Sequence, residues 1–305
     1  MARKLKRKIR RSINRTRKLT CCIAGGSLFA GLLVMNRLPG VTLIPTDASE
    51  KSRDQVTELG YENYVSSRKL AKRPFFAHRG FSSLELENSF SSFDLAVHMG
   101  FEQLEMDIWK SADGILYVCH DNSLKNAAGK NLKITETESS VLDGIRLSNG
   151  DKLPRLSEVF DEISSNAVYL IELKNGKSDV KALTELLKEY ESIQHSICLQ
   201  AWDLETLAEI ESEFPYMFTM FLMPNLDRLD QALGDNSLSG LAVQYQQLDR
   251  NTVDRIHQSG KQVWAWTVNK NKQIQEMVQL GVDGIISDNP DKVVQAFDNY
   301  SALGQ

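Results

Sequence analysis

The stretch Gln103–His120, QLEMDIWKSADGILYVCH, decides how the chain folds. Its first half, Gln103–Trp109, is a short, mainly apolar run that reads as a buried strand. Asp113-Gly114 follows, and then a second run, Ile115–His120. A parallel crossover needs about a dozen residues, and only a few separate these two runs. Asp-Gly between apolar runs is a tight-hairpin signal. Ile115–His120 is therefore expected to be an antiparallel partner of the preceding strand and not a member of the main series.

That series extends on both sides. Seven more apolar runs stand at Phe75–His78, Val168–Leu173, Ile197–Trp202, Met217–Leu222, Gly240–Tyr245, Gln262–Val268 and Gly284–Ser287. Helical patterns separate most of them: Ser89–His98, Leu156–Ile163, Asp179–Tyr190, Leu204–Glu213, Leu226–Leu233, Arg250–Gln258 and Lys272–Leu280. Gly100, Gly234, Gly260 and Gly281 stand where helices of this kind commonly end. Eight strand–helix repeats predict an α/β fold, a TIM (β/α)8 barrel over residues 74–298. The segment 121–155 is too long for a simple loop and is expected to be a small insertion at the barrel mouth, after the hairpin.

The net charge of −4 conceals an asymmetry. Residues 1–37 hold 11 of the 36 Lys/Arg and none of the 40 Asp/Glu, which leaves 25 against 40, or −15, in residues 38–305. So acidic a body excludes non-specific nucleic-acid binding, which needs cationic surface to displace phosphate counterions. Ten Lys/Arg lie within residues 3–18 and precede an uncharged run of 17 residues, Leu19–Met35. That length is at the lower limit for a membrane-spanning helix. The following Asn36-Arg37-Leu38-Pro39 lacks the small residues of a signal-peptidase site. Residues 1–18 thus read as a basic cytoplasmic head, 19–36 as a transmembrane signal anchor, and 37–73 as a linker with one short helix around Asp54–Arg68. Cations on the N-terminal side predict a single-pass protein of the cell membrane with its body outside the cytoplasm. Four cysteines make no disulfide framework; Cys119 and Cys198 read as small buried hydrophobes.

Active sites of such barrels lie at the C-terminal strand ends. Those ends carry His78, Glu105 and Asp107, His120, Glu172, Gln200 and Trp202, Trp266, Asn269 and Asp288. Glu105 and Asp107 share one face of a strand, because side chains alternate. With Glu172 they form an all-oxygen set suited to a hard divalent cation, Ca²⁺ or Mg²⁺. His78 and His120, ending strands beside that set, suggest a general acid and base. The patterns His78-Arg79-Gly80, Glu87-Asn88-Ser89, Glu105-x-Asp107, His120-Asp121, Glu172-x-Lys174, Trp266-Thr267-Val268-Asn269 and Gly281–Asp288 occur in the order typical of glycerophosphodiester phosphodiesterases, which the chain resembles from Phe75 to Val293.

The resemblance implies a TIM barrel with a small insertion, catalytic histidines at His78 and His120, and a divalent metal on Glu105, Asp107 and Glu172. It further implies phosphate contact by Arg79 with support from Lys174, Glu87 and Asn88 in or beside the site, and Trp266 lining a glycerol pocket. The implied reaction converts a glycerophosphodiester, or a polyglycerophosphate, to glycerol phosphate and an alcohol through a cyclic phosphate. Ala201-Trp202 departs from the family's usual Ser-Phe, and Lys125–Ala128 departs after Leu124. Alternatives of other kinds are a phospholipase C- or D-type barrel acting on intact lipids, and a non-catalytic module binding glycerophosphate polymers.

Overall fold

A computed structural model describes residues 75–164 and 166–302. Eight parallel strands close a barrel: β1 (Phe75–Ala77), β2 (Gln103–Lys110), β4 (Val168–Leu173), β5 (Ile197–Ala201), β6 (Phe218–Met223), β7 (Gly240–Gln244), β8 (Gln262–Trp266) and β9 (Gly284–Ser287). Each pairs with its neighbour, and β1 joins β9 to β2 to complete the ring. The expected eight-strand barrel is observed.

The hairpin is also present. β3 (Leu116–Val118) pairs antiparallel with the upper end of β2, Ile108 opposite Val118 and Lys110 opposite Leu116. Ile108 also pairs with Leu173 on β4, so β3 occupies the other edge of β2. The reason lies in β1: it is three residues long and touches β2 only at Leu104, leaving that edge of β2 open above it. The strand is shorter than the expected Ile115–His120, and His120 lies beyond its end.

Helices α1 (Phe90–His98), α4 (Leu156–Glu162), α5 (Lys177–Glu189), α6 (Leu204–Glu213), α7 (Leu229–Gly234), α8 (Arg250–Gln258), α9 (Asn271–Leu280) and α10 (Pro290–Ala302) follow the strands. Two single-turn helices, α2 (Lys125–Ala128) and α3 (Ser139–Leu142), lie in the insertion. Gly100, Gly260 and Gly281 take φ of 84°, 78° and 78° at helix ends; Gly234 differs, being the last residue of α7. The helix at α10 lies outside the patterns read from the sequence; its first residue is proline, which suits a helix start.

The barrel interior is filled by Phe76, Leu170, Cys198, Met220, Ala242, Trp264 and Ile286, among others. Trp264 fits there because Gly284 opposes it: a Cβ at residue 284 would lie 2.2 Å from the indole. Alternation then places the residue two positions further along each strand on the same inward face. Those residues are His78, Glu172, Gln200, Gln244, Trp266 and Asp288, with only Leu222 of β6 aliphatic, so a mainly polar mouth is the next layer above the apolar core. The insertion has a core of its own, from Tyr117, Leu124, Ile134, Leu142, Leu147 and Leu153 with neighbours.

Among the described residues no helix is long and apolar enough to cross a membrane. The expected head (1–18), anchor (19–36) and linker (37–73) lie outside the described residues.

Candidate active site

At the top of β2 and β4, Glu105, Asp107 and Glu172 are 1%, 0% and 6% exposed and can bring one oxygen each within 4.8 Å of one another. Three carboxylates so close and so dry repel each other. Burial, with the charge of Asp107, pushes the Glu105 carboxyl up to about 8. Burial pushes Asp107 the same way, but the charges of Arg79 and Lys174 outweigh it and hold this carboxyl below its ordinary range. Lys174 Nζ stands 2.7 Å from Glu172 Oε1 and 3.4 Å from Asp107 Oδ1. Asp107 Oδ1 is nevertheless buried with no formed hydrogen bond. An all-oxygen donor set, one member with an unpartnered oxygen and another unable to stay ionised at neutral pH, fits a hard divalent cation.

Neutral donors brace the same carboxylates. Asn88 Nδ2 donates to Asp107 Oδ2 at 2.7 Å, Gln200 Nε2 to Glu105 Oε1 at 3.2 Å, and Trp202 Nε1 to Glu172 Oε1 at 2.7 Å.

The loop after β1 supplies the cationic side. Arg79 has φ 55°, a conformation costly for a side-chain-bearing residue. The turn is fixed at both ends. Arg79 N–H donates to Glu105 Oε2 at 3.0 Å, and Arg79 C=O accepts from Ser92 Oγ and Asn88 N. Gly80 follows at φ 82°, where a Cβ would fall 2.4 Å from Ser92 Oγ and 2.7 Å from its backbone. The guanidinium donates from Nη1 to Glu87 at 2.9 Å, and its Nε lies 3.1 Å from Asp107 Oδ2, off-line for a hydrogen bond, so that contact is electrostatic.

His78 Nδ1 lies 2.6 Å from Asp288 Oδ1, and its Nε2 lies 4.0 Å from Glu105 Oε2. Burial opposes the charged imidazole, but the hydrogen bond to Asp288 is the chief influence that leaves its pKa raised. Asp288 itself is depressed: burial raises it, and the bond from His78 more than compensates. An ionised Asp288 can only accept, so the proton of that bond sits on Nδ1 and Nε2 faces the mouth. Asn269 Nδ2, at 2.6 Å from Oδ2, and Ser82 Oγ, at 3.1 Å from Oδ1, hold Asp288 in place.

His120 stands beyond β3, one third exposed, its Nδ1 3.0 Å from Asp121 Oδ1. It is near enough for its charge to favour ionised Asp107. With Glu87 and Asn88 it lines a cavity of about 340 Å³ between the β1–α1 loop and the insertion. Trp266 ends β8 and does not line that cavity. Its indole N–H donates to Ala242 O at 2.8 Å, and its ring meets Trp202 edge-to-face at 5.6 Å.

The structure thus gathers His78, Arg79, Glu105, Asp107, Glu172 and Lys174 in one contact network. Asn88 and Glu87 join through Asp107 and Arg79, and Trp266 through Trp202. His120 is beside the network but bonded to none of the three clustered carboxylates. Sequence reasoning gave no role to Asp288, Asn269, Ser82, Gln200 or Trp202. All but Ser82 stood at strand ends; Asn269 and Asp288 also lay within family-like patterns, and neither signal named their partners.

The sequence matches the model of the glycerophosphoryl diester phosphodiesterase family over residues 78–292. The chain belongs to this family. It is 27% identical over 238 residues to a glycerophosphodiester phosphodiesterase of Bacillus altitudinis, covering 72% of this chain and 96% of that one. A glycerophosphodiester phosphodiesterase of Caldanaerobacter subterraneus is 27% identical over 232 residues, covering 72% and 95%. Among solved structures, an Oleispira antarctica phosphodiesterase in complex with sn-glycerol-3-phosphate superposes with a TM-score of 0.68 at 24% identity, over 74% of this chain and 96% of that chain. This last likeness is one of fold. The eight-strand barrel expected from the sequence agrees with that likeness.

Proposed function

We propose that the chain is a glycerophosphodiester phosphodiesterase that uses a divalent cation, releasing glycerol phosphate and an alcohol. The observation carrying this reading is the convergence on one barrel mouth of a dry three-carboxylate cluster, two cations and a carboxylate-fixed histidine. The names of the relatives in the same family support the substrate class.

Glu105, Asp107 and Glu172 would hold the cation, Ca²⁺ or Mg²⁺. When bound, it supplies positive charge against the phosphate and the transition state. Arg79, oriented by Glu87 and Asp107, draws the phosphodiester into the mouth and offsets its charge, with Lys174 beside it. His78 and His120 exchange protons with the reacting groups. One takes the proton of the glycerol 2-hydroxyl as that oxygen attacks phosphorus. The other gives a proton to the departing alcohol oxygen, leaving a cyclic phosphate. Water then opens the ring with the two roles exchanged. Asp288 fixes the His78 tautomer so that Nε2 takes part. Asn88 keeps Asp107 in register, and Trp266 walls the glycerol side.

Residues 19–36 serve as the anchor in this reading and 1–18 remain cytoplasmic, which sets the barrel outside the membrane within reach of exposed glycerophosphate polymers. Support comes from the one-sided charge of the head alone.

The test is hydrolysis of glycerophosphocholine and of polyglycerophosphate by the full chain and by His78→Ala and His120→Ala. Each substitution is expected to lower turnover by about 10²- to 10⁴-fold while the thermal melt is retained. Near-normal turnover in either variant would remove the paired-histidine mechanism. Cleavage of a lysophospholipid in preference to both substrates would favour a lipase-type reading.

A further inference from the structure

β5 contributes no carboxylate to the cluster, yet its end is bonded to two of the three. Gln200 lies on β5 and Trp202 just past its end, and both side chains reach the cluster. Gln200 Nε2 donates to Glu105 Oε1 at 3.2 Å and Trp202 Nε1 to Glu172 Oε1 at 2.7 Å. Both donors are neutral.

Neutrality separates them from Lys174. Its ammonium sits on the same Glu172 oxygen and reaches toward Asp107. Such a group competes for carboxylate lone pairs and repels an incoming dication. An indole or amide N–H fixes a carboxylate oxygen with no opposing charge, although at Glu105 the second oxygen also accepts from Arg79 N. Glu172 Oε1 thus carries two donors, while Oε2 accepts no hydrogen bond among the described residues.

Core burial does not explain the place of Trp202. Its side chain is 39% exposed, among the few large apolar groups open to solvent. What holds it is local. Ala201 ends β5, and Asp203 caps α6 by accepting from Thr206 N at 2.7 Å and Thr206 Oγ1 at 2.8 Å. The ring is pinned by its bond to Glu172 and by the edge of Trp266, which is itself tied to Ala242. A phenylalanine would keep the ring contact and lose the N–H.

We infer that Gln200 and Trp202 are positioning residues that orient Glu105 and Glu172 for a divalent cation, with Trp202 also linking that site to the aromatic wall of the mouth. This rests on the reading of the acidic cluster as a cation site. Hydrogen bonds to ligating carboxylates of this kind are worth about 10- to 100-fold in metal affinity.

The experiment is calorimetric titration of Mg²⁺ and of Ca²⁺ into the EDTA-stripped full-length chain and its Trp202→Phe, Gln200→Leu and Trp266→Phe variants, with tryptophan emission followed in parallel. Trp202→Phe and Gln200→Leu are each expected to weaken the cation Kd by about 10- to 100-fold. Trp266→Phe should leave it unchanged. Cation binding should alter the emission of the wild type and of Trp266→Phe, and not that of Trp202→Phe. At saturating cation, Trp202→Phe should recover most of kcat with an unchanged KM. Wild-type Kd in Trp202→Phe or in Gln200→Leu overturns the assignment to β5. Should Gln200→Leu not fold, Trp202→Phe decides alone. A wild-type chain that binds neither cation overturns the cation site as well, so the two failures are distinct.

Discussion

Glu105 is the residue where the electrostatics of the site are most exposed to measurement. Held near a pKa of about 8 by burial and by Asp107, it carries a proton at neutral pH in the cation-free protein. A cation must displace that proton, so binding should tighten as pH rises toward 8 and level off above it. Calorimetry at pH 6.5 and 8.5 in two buffers of different ionisation enthalpy should show clearly more proton release at the lower pH. Equal affinity and no proton release at pH 6.5 would contradict a protonated Glu105. The carboxylate cluster and His78 were legible in the sequence, because strand alternation places i and i+2 together whatever surrounds them. Asp288 as the partner of His78 was not, because the 2.6 Å contact joins residues 210 positions apart and depends on ring closure between β9 and β1. Asp283, in the motif that also holds Asp288, proves structural: its Oδ2 accepts from Val263 N at 2.8 Å and lies 2.8 Å from His257 Nε2.

Elements carry two further expectations. Gly284 of β9 is the register partner of Trp264 on neighbouring β8, and the indole leaves it no room for a methyl. Overpacking a dense core costs about 1 to 3 kcal/mol; Gly284→Ala should lower the melting temperature by several degrees, and an unchanged melt would contradict the packing described. In the first turn of α5, Asp179 is fully enclosed and neither carboxylate oxygen has a formed hydrogen bond. Burial raises its carboxyl to about 6, with Lys110 and nearby Asn175 acting against the shift. A carboxyl raised on folding binds its proton more tightly in the folded state, so stability is lost as pH climbs from about 4 through 6. Asp179→Asn should therefore raise the melting temperature at pH 8 and leave it nearly unchanged at pH 4; the reverse order would contradict a carboxyl raised by burial. The hairpin was readable because Asp113-Gly114 is a turn signal of its own, and Gly114 adopts φ 97°. The insertion's core was not, since its apolar residues, spaced irregularly from Tyr117 to Leu153, follow neither a helical nor a strand period.

At the scale of the whole molecule, strand–helix repetition made the barrel legible, since each repeat must bury its apolar strand against the next. The charge asymmetry is equally plain: all 11 cations of residues 1–37 precede a body of −15. If the head is an anchor, the full chain should sediment with membranes and resist carbonate extraction, and a chain beginning at residue 38 should stay in the supernatant. Equal solubility of the two would contradict the anchor. The central claim is that the acidic mouth hydrolyses glycerophosphodiesters with a divalent cation. It is tested most directly by following glycerophosphocholine by phosphorus NMR with the EDTA-stripped full-length chain, before and after Ca²⁺ or Mg²⁺ is restored. No turnover is expected without the cation, and conversion to glycerol phosphate with one of the two. Undiminished hydrolysis after stripping, or none with either cation, would contradict that claim.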